Sequence, residues 1–222
     1  MYSITLVFTR HEVCGFCNSD ELYKIIDSIG PEIIFEEIPP SYFDKYYVTK
    51  IRRNLESDSI NKYIENYKIE HVPVDSENVP SESFFNDLQY LHKRIEGLSD
   101  INGYNYRNFS DSHSVNVRVY GFAYLNSIHC SYTQNEINNA IAKGVQKLNE
   151  AKLLQTLNHW KKVNDERENE MINNIYNYSK ENQYGRAVFL IGSAHRNSVM
   201  QKINIYETKE KLKLNWALYN NI

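Results

Sequence analysis

Hydrophobic and polar positions in the first third of the chain change from a strand pattern to a helix pattern and back. Residues 3–9 are apolar and β-branched, over a length that suits a buried strand. Apolar residues then recur every three or four positions across 19–29, which indicates a helix that ends at Gly30-Pro31. Residues 32–37 read as a second short strand. Strand, helix and strand in 40 residues predict a βαβ unit with parallel strands buried on both faces.

The rest of the chain continues this alternation with a long helical stretch inserted. We expect a polar helix around 41–68, a strand at 69–75, a turn at 76–82, a helix at 83–97, a polar loop at 98–114, a strand or buried helix at 115–125, two helices within 135–180, a strand at 186–191, and a strand with a short helix within 203–219. The fold class predicted is α/β: one domain over 1–222 with a central, mostly parallel sheet, helices on both faces, and a largely helical insertion or second half over roughly 83–180.

Composition and charge argue against nucleic-acid-binding, membrane-spanning and secreted classes of protein. The 222 residues are 41% hydrophobic and 24% charged, with a formal net charge of −3, so we expect no nucleic-acid partner. No window reaches the roughly 18 apolar residues of a membrane helix, and the N-terminus lacks the basic start of a secretory signal. Three cysteines suit a reducing compartment, and we expect a cytoplasmic protein without a membrane partner. A small molecule or peptide is the expected substrate.

Three predicted strands end in side chains that can do chemistry. The first runs into His11, the second into Glu36 and Glu37, and the last through Gly192 into His195; a weaker strand ends at Asp75. Ligands of open parallel sheets bind outside the carboxyl ends of the strands. Two imidazoles and a carboxylate there suit a zinc or manganese site and equally a metal-free acid–base site.

The paired glutamates face opposite sides of their strand. Side chains alternate between the two faces of a strand, so Glu37 shares one face with Ile33 and Phe35, and Glu36 shares the other with Ile34. Both faces are buried, so alternation alone does not choose; we favour Glu37 as the functional carboxylate, with Glu36 a close second. A buried carboxylate needs a partner, for which Arg10 or Arg167 could serve. We expect Gly192 to permit a tight strand-to-helix turn that directs His195 towards the crevice.

Three segments resemble motifs of the TraB/Tiki superfamily, which includes the erythromycin-esterase and ChaN-like proteins. Residues 31–38 are similar to its early Pro-Asp-hydrophobic-hydrophobic-x-x-Glu-Leu strand, 165–171 to its Glu-Arg-Asx-x-x-Met helix, and 188–195 to its closing strand and GxxH motif, in the same order and spacing across the chain. The resemblance implies that His195 is the GxxH histidine, Arg167 the helix arginine and Glu37 the strand glutamate. His11 matches the histidine of a first GxxH, although Phe8 stands where the family has glycine, which puts a backbone role at this position in doubt.

The resemblance implies hydrolysis at a histidine–glutamate site. Tiki-type members are regarded as metal-dependent proteases, erythromycin esterases hydrolyse a lactone, and ChaN-like members bind haem. We therefore predict a hydrolase that cleaves a peptide or ester bond, in which a water held by the site attacks a carbonyl and Arg167 stabilises the carboxylate or the oxyanion. Its predicted catalytic residues are His11, Glu36, Glu37, Arg167 and His195. A divalent metal (zinc, manganese or cobalt) would bind His11, Glu37 and His195. A non-catalytic scaffold that binds haem or another ligand stays open.

Cys14-Gly15-Phe16-Cys17 supports a rival hypothesis. A strand, then CxxC, then a helix is the layout of a thioredoxin or glutaredoxin centre, which predicts a thiol–disulfide oxidoreductase. Such domains need only about half of this chain, and no strand with a Gly-Gly turn follows Val72-Pro73, the one plausible counterpart of their cis-proline. A zinc pair completed by His11, His129 or Cys130 is a third interpretation.

Overall fold

Five parallel strands form one sheet in the computed structural model of the chain, which describes residues 2–219. Met1 and residues 220–222 of the predicted domain lie outside the described residues. The strands are β1 (Tyr2–Thr9), β2 (Ile33–Glu36), β3 (Glu70–Pro73), β4 (Arg186–Gly192) and β5 (Leu214–Leu218). Their spatial order is β3-β2-β4-β1-β5, with every neighbouring pair parallel. This arrangement confirms the predicted α/β class.

Helices cover both faces of the sheet, because its strands bury apolar side chains on both sides. Within residues 2–219 they are α1 (Ser19–Ile29), α2 (Phe43–Tyr47), α3 (Leu55–Asn66), α4 (Glu82–Glu96), α5 (Ile101–Leu125), α6 (Ile128–Leu148), α7 (Ala151–Glu181) and α8 (Arg196–Lys209). Phe35 and Phe189 pack on one face against α7 and α8. Ile34 and Val188 pack on the other face against α1, α3 and the end of α5. Helices α4 to α7 all lie between β3 and β4 in the chain.

The predicted loop at 98–114 is wrong, because α5 begins at Ile101 and continues through 115–125. Asp100 caps this helix by accepting from the backbone N–H groups of Asn102 and Gly103. Its apolar residues pack beside α4 and α6, with Val117 fully buried. Asn, Ser and Asp on the exposed side of the helix made the segment look like a loop, and tertiary packing outweighed their low helix propensity.

Other boundaries also differ from the sequence pattern. The expected helix at 41–68 divides into a 3₁₀ turn (Pro40–Tyr42), α2 and α3, since Asn54 starts a new helix through a capping box with Ser57. Helix α6 begins earlier than expected, at Ile128, and Asn149 ends it in the left-handed conformation with φ 51°. In the last segment, α8 begins at Arg196 and β5 follows it.

The carboxyl ends of the five parallel strands lie at one edge of the sheet, and the segments that follow β1 to β4 form the candidate site there. His11 follows β1, Glu37 follows β2, Asp75 follows β3, and a 3₁₀ turn after β4 ends at His195. None of the helices within residues 2–219 is long and apolar enough to cross a membrane.

Candidate functional site

A cleft of about 550 Å³ opens at this edge of the sheet. His11, Glu37, Asp75, Arg167 and His195 all line it, so four strand ends and the middle of α7 contribute to one space. A cleft of this volume suits a small-molecule ligand.

Glu37 lies at the centre of a buried ion network on the α7 side of the sheet. Its Oε1 accepts from Arg167 Nη2 at 2.9 Å, and its Oε2 accepts from the backbone N–H of Gly192 at 2.7 Å. Arg167 also holds Asp75 in a bidentate pair, with Nη2–Oδ2 at 2.7 Å and Nε–Oδ1 at 3.1 Å. The side chains of Glu37 and Asp75 are only 5% exposed, so both carboxylates need Arg167 as their counter-charge.

Gly192 is needed here for a reason other than the one expected. Its φ of −56° and ψ of 135° are open to any residue, so the turn itself does not require glycine. A Cβ at this position would instead lie 3.3 Å from Glu37 Oε2. The glycine therefore allows the carboxylate to approach the backbone of β4.

His195 lies between two carboxylates. Its Nε2 is 3.2 Å from Glu37 Oε1, and its Nδ1 is 2.7 Å from Glu168 Oε1. Glu168 is held in turn by Ser198 and by Lys202 Nζ at 3.4 Å. Burial lowers the pKa of His195, but Glu37 and Glu168 together outweigh it and raise the pKa to about 10. The ring is therefore an imidazolium at neutral pH, and both of its N–H groups are used.

His11 belongs to a second histidine–carboxylate pair in the same cleft. Its Nδ1 is 3.2 Å from Glu56 Oε1, which also accepts from the Thr9 hydroxyl at 2.7 Å. The hydrogen bond with Glu56 is the main reason why the pKa of His11 rises to about 9. The His11 side chain is 54% exposed, and Nε2 makes no hydrogen bond to residues 2–219. Of the two imidazoles, this one is accessible from the cleft.

Glu36 lies apart from this network, on the face opposite Glu37. His71 Nδ1 is 2.6 Å from its Oε1, and the Tyr47 hydroxyl donates to its Oε2. Burial is the main cause that raises the pKa of Glu36. The sequence predicted a catalytic role for either glutamate, and the structure brings only Glu37 together with Arg167 and His195.

Phe8 stands at the position of the glycine in the first GxxH motif of TraB/Tiki proteins, and its backbone is paired with the side chain of Asn126. The Asn126 side chain accepts from Phe8 N at 2.8 Å and donates to Phe8 O at 3.0 Å. Asn126 thus extends the pairing of β1 beyond the point where β5 ends. The Arg196 guanidinium lies 4.8 Å from the Phe8 ring centroid. Through its contact with Asn126, Phe8 holds the loop between α5 and α6 against the sheet.

Two of the three predicted metal ligands, Glu37 and His195, are already engaged with protein groups. Both nitrogens of His195 face carboxylates, and both oxygens of Glu37 accept hydrogen bonds. Residues 2–219 contain no cluster of three His, Cys, Asp or Glu side chains arranged to hold a metal. In this arrangement Arg167 supplies the positive charge at the Glu37 carboxylate and His11 Nε2 keeps a free donor atom, so the metal site stays a prediction.

The CxxC segment is a tight turn against the kink of α5. Cys14 and Cys17 exchange backbone hydrogen bonds of 2.8 and 3.0 Å, and both thiols are free. Gly121 has φ 53°, and a Cβ there would lie 2.6 Å from the Phe16 carbonyl oxygen. Burial raises the pKa of the Cys17 thiol to about 12. In a CxxC redox centre the first cysteine is the attacking thiol, so this shift at the second cysteine does not decide against a redox role.

Sequence reasoning missed two carboxylates that position the imidazoles, Glu56 and Glu168. Glu168 directly follows Arg167 in the α7 motif, and this position next to a predicted site residue is the signal that could have identified it. Glu56 lies in the first turn of α3 and shares no motif with His11. Asp75, expected only as a weaker strand end, proves to be the bidentate partner of Arg167. Arg10 pairs with Glu12 and not with Glu37.

The chain was compared with protein-family models, with curated proteins and with solved structures, and none of them matches it. The similarity to TraB/Tiki motifs therefore stays a prediction from the sequence.

Proposed function

We propose that this protein is a hydrolase that cleaves an ester or peptide bond in a small substrate, of the type that the TraB/Tiki motifs imply. One observation carries the proposal: the accessible His11, which Glu56 holds through Nδ1, and the buried Glu37–Arg167–His195 network line the same cleft. An imidazole held by a carboxylate through Nδ1, with Nε2 open to the cleft, suits general acid–base chemistry.

The proposed reaction uses His11 as the group that moves protons. Nε2 of the neutral ring takes a proton from water while the water oxygen bonds to the substrate carbonyl carbon. The tetrahedral intermediate then collapses, the carbon–oxygen or carbon–nitrogen bond breaks, and Nε2–H returns the proton to the leaving group. Because the pKa of His11 is about 9, we expect the rate to rise with pH towards that value.

Arg167 and Glu37 would serve electrostatic roles. Arg167 uses Nε and Nη2 for Asp75 and Glu37, which leaves Nη1 to stabilise the developing oxyanion. Both oxygens of Glu37 accept hydrogen bonds, so it would hold Arg167 and His195 in place and would not itself remove a proton.

Hydrolysis of a panel of esters and peptides tests this proposal. We expect His11→Gln to lower kcat/KM at least about 100-fold. The Glu37→Ala/His195→Ala double variant should also lose activity. The control is His129→Asn, since His129 is exposed and does not line the cleft. An active wild type with unchanged His11→Gln and double variants would refute the proposal. A wild type that binds panel members without cleaving them would favour the scaffold alternative, including haem binding.

Metal dependence is a separate part of the family-based prediction. Elemental analysis of the purified wild type, His11→Ala and His195→Ala decides it. Stoichiometric zinc, manganese or cobalt that is lost in both variants would favour a metal-dependent hydrolase. A wild type that hydrolyses substrate after chelation and dialysis supports the metal-free route.

A thiol–disulfide oxidoreductase is the second candidate, because β1, the CxxC turn and α1 follow one another in the required order. Titration of thiols after mild oxidation tests it: a stable 14–17 disulfide with a measurable potential would support this activity.

We also propose that the protein works in the cytoplasm. All three cysteines are free, which suits that reducing compartment.

A further inference from the structure

Almost every charged side chain that lines the cleft has an oppositely charged partner. His11 faces Glu56, Arg53 holds Asp58, and Arg167 holds Glu37 and Asp75. Glu12 and His195 have the partners described above. Arg52 is the exception: within residues 2–219 it makes no ion pair. A cation that lines a cleft without a counter-charge is a candidate for binding an anionic group of the ligand.

Arg52 is an exposed residue whose guanidinium lies over an aromatic ring of the cleft. It lies 4.5 Å from the centroid of the Tyr42 ring, and Tyr42 lines the same cleft. The backbone N–H of Arg52 donates to the Lys45 carbonyl oxygen at 3.0 Å, which fixes the loop between α2 and α3. Stacking on a ring leaves the N–H groups at the guanidinium edge free to bind an oxyanion in a bidentate manner.

An apolar surface completes the lining. Val79, Pro80, Phe85 and Trp160 all line the cleft. Val79 is 43% exposed and Phe85 is 41% exposed, so apolar area faces the solvent beside the polar site. Clefts that bind small molecules combine apolar lining with a few polar groups that fix orientation.

We infer that the substrates are acidic, amphipathic small molecules. One end carries an oxyanion, a carboxylate or a phosphate, that binds Arg52. An apolar part covers Phe85 and Trp160, and the scissile ester or amide lies at His11. This inference rests on the proposed hydrolase function and adds the class of substrate to it.

Three matched aryl esters test the inference: 4-nitrophenyl hexanoate, mono(4-nitrophenyl) adipate, and the hexanoate that bears a terminal phosphate. We expect the wild type to have a kcat/KM at least tenfold higher for the anionic esters. Arg52→Met should remove that preference, mainly through KM, and leave the neutral ester within twofold. The ratio between adipate and phosphate ester identifies which oxyanion is preferred. Equal kcat/KM for all three esters in the wild type would overturn the inference.

Lys45→Met is the matched control. Its Nζ lies 4.1 Å from the centroid of the same Tyr42 ring, but Lys45 does not line the cleft. The variant removes one positive charge from the same area and should keep the preference of the wild type. An equal loss in Lys45→Met and Arg52→Met would show a general effect of charge and would overturn a specific site.

A binding measurement separates this inference from the hydrolase proposal. Calorimetry with the anilides of hexanoic and adipic acid needs no turnover. If no ester is hydrolysed but the adipic anilide binds at least tenfold more tightly than the neutral one, and Arg52→Met abolishes that difference, the ligand class stands while the hydrolase fails. Equal affinity for the two anilides would overturn the ligand class.

Discussion

Glu36 and Glu37 are adjacent in the sequence and equally buried, yet their surroundings give them opposite properties. Burial alone would raise the pKa of both carboxyls. At Glu37 the charges of His195, His11 and Arg167 outweigh burial and lower the pKa. At Glu36 the partners are His71 and Tyr47, and burial prevails.

The difference comes from the two faces of one strand. The face of Glu37 receives α7, which contributes Arg167, and the turn after β4, which contributes His195. The face of Glu36 receives the rings of α2 and β3, with Tyr47 and His71 in edge contact at 4.3 Å between centroids. Two neighbouring carboxylates therefore support different chemistry, an ionised network at the cleft and a cluster of hydrogen-bonded rings beside it.

Loss of the shared cation should be the most damaging change on the Glu37 side. Arg167→Met leaves Glu37 and Asp75 buried without their counter-charge, so we expect a loss of about 3–5 kcal/mol in the free energy of unfolding. Chemical denaturation measures it. Arg53→Met is the control, since Arg53 holds Asp58 in a similar bidentate pair at the exposed surface. A similar loss in both variants would contradict the importance of burial here.

Matched substitutions of the two glutamates test the comparison directly. Glu37→Gln removes a charge that Arg167 and His195 require, and we expect a loss of about 2–3 kcal/mol in the free energy of unfolding. Glu36→Gln changes a carboxyl whose charged form burial disfavours, and we expect a change of less than about 1 kcal/mol. Equal losses in the two variants would mean that both sites are ion networks.

The pH dependence of stability should depend on His195. A pKa raised in the folded protein stabilises fully below the unfolded value of 6.5, and this contribution is lost as pH rises through about 10. The lowered pKa of Glu37 stabilises above 4.5, and this contribution is lost as pH falls. We expect the free energy of unfolding of the wild type to fall by more than about 1 kcal/mol between pH 6.5 and 10.

His195→Gln should make that decrease of stability with pH shallower without abolishing it, because the raised pKa of His11 contributes in the same range. Denaturation at a series of pH values measures it. His129→Asn provides the control, because His129 is exposed and outside the network. An unchanged slope in His195→Gln would assign the loss to other groups.

Strands β1, β2 and β4 were predictable because each carries a short apolar run with a clear stop. The βαβ unit from β1 to β2 follows directly from residues 3–37 and from the stop at Gly30-Pro31. Helix α5 was not predictable, because its first half presents Asn, Ser and Asp to solvent and its stability comes from α4 and α6. Local pattern carries no information about a neighbour that lies far along the chain.

The candidate site was predictable only where chemistry coincides with a strand end or a motif. His11, Glu37, Arg167 and His195 were found in this way, and the structure puts them in one cleft. Their separate partners could not be assigned, since Glu56 contacts His11 across 45 positions of sequence. The pairing of Glu36 with His71 similarly depends on the register of β2 and β3, in which Ile34 lies beside His71.

A further small effect is expected in the ring cluster around Glu36. Tyr47→Phe removes the hydroxyl that donates to Glu36 Oε2, while His71 still holds Oε1. We expect a loss of about 1 kcal/mol in the free energy of unfolding, typical of one hydrogen bond, and no change in hydrolysis of the ester panel. Chemical denaturation and kcat/KM for 4-nitrophenyl hexanoate measure the two quantities, with Tyr67→Phe, at an exposed ring, as the control. A large loss of activity in Tyr47→Phe with stability preserved would mean that the Glu36 face takes part in the chemistry, and the contrast between the two glutamates would then be one of role within a single site.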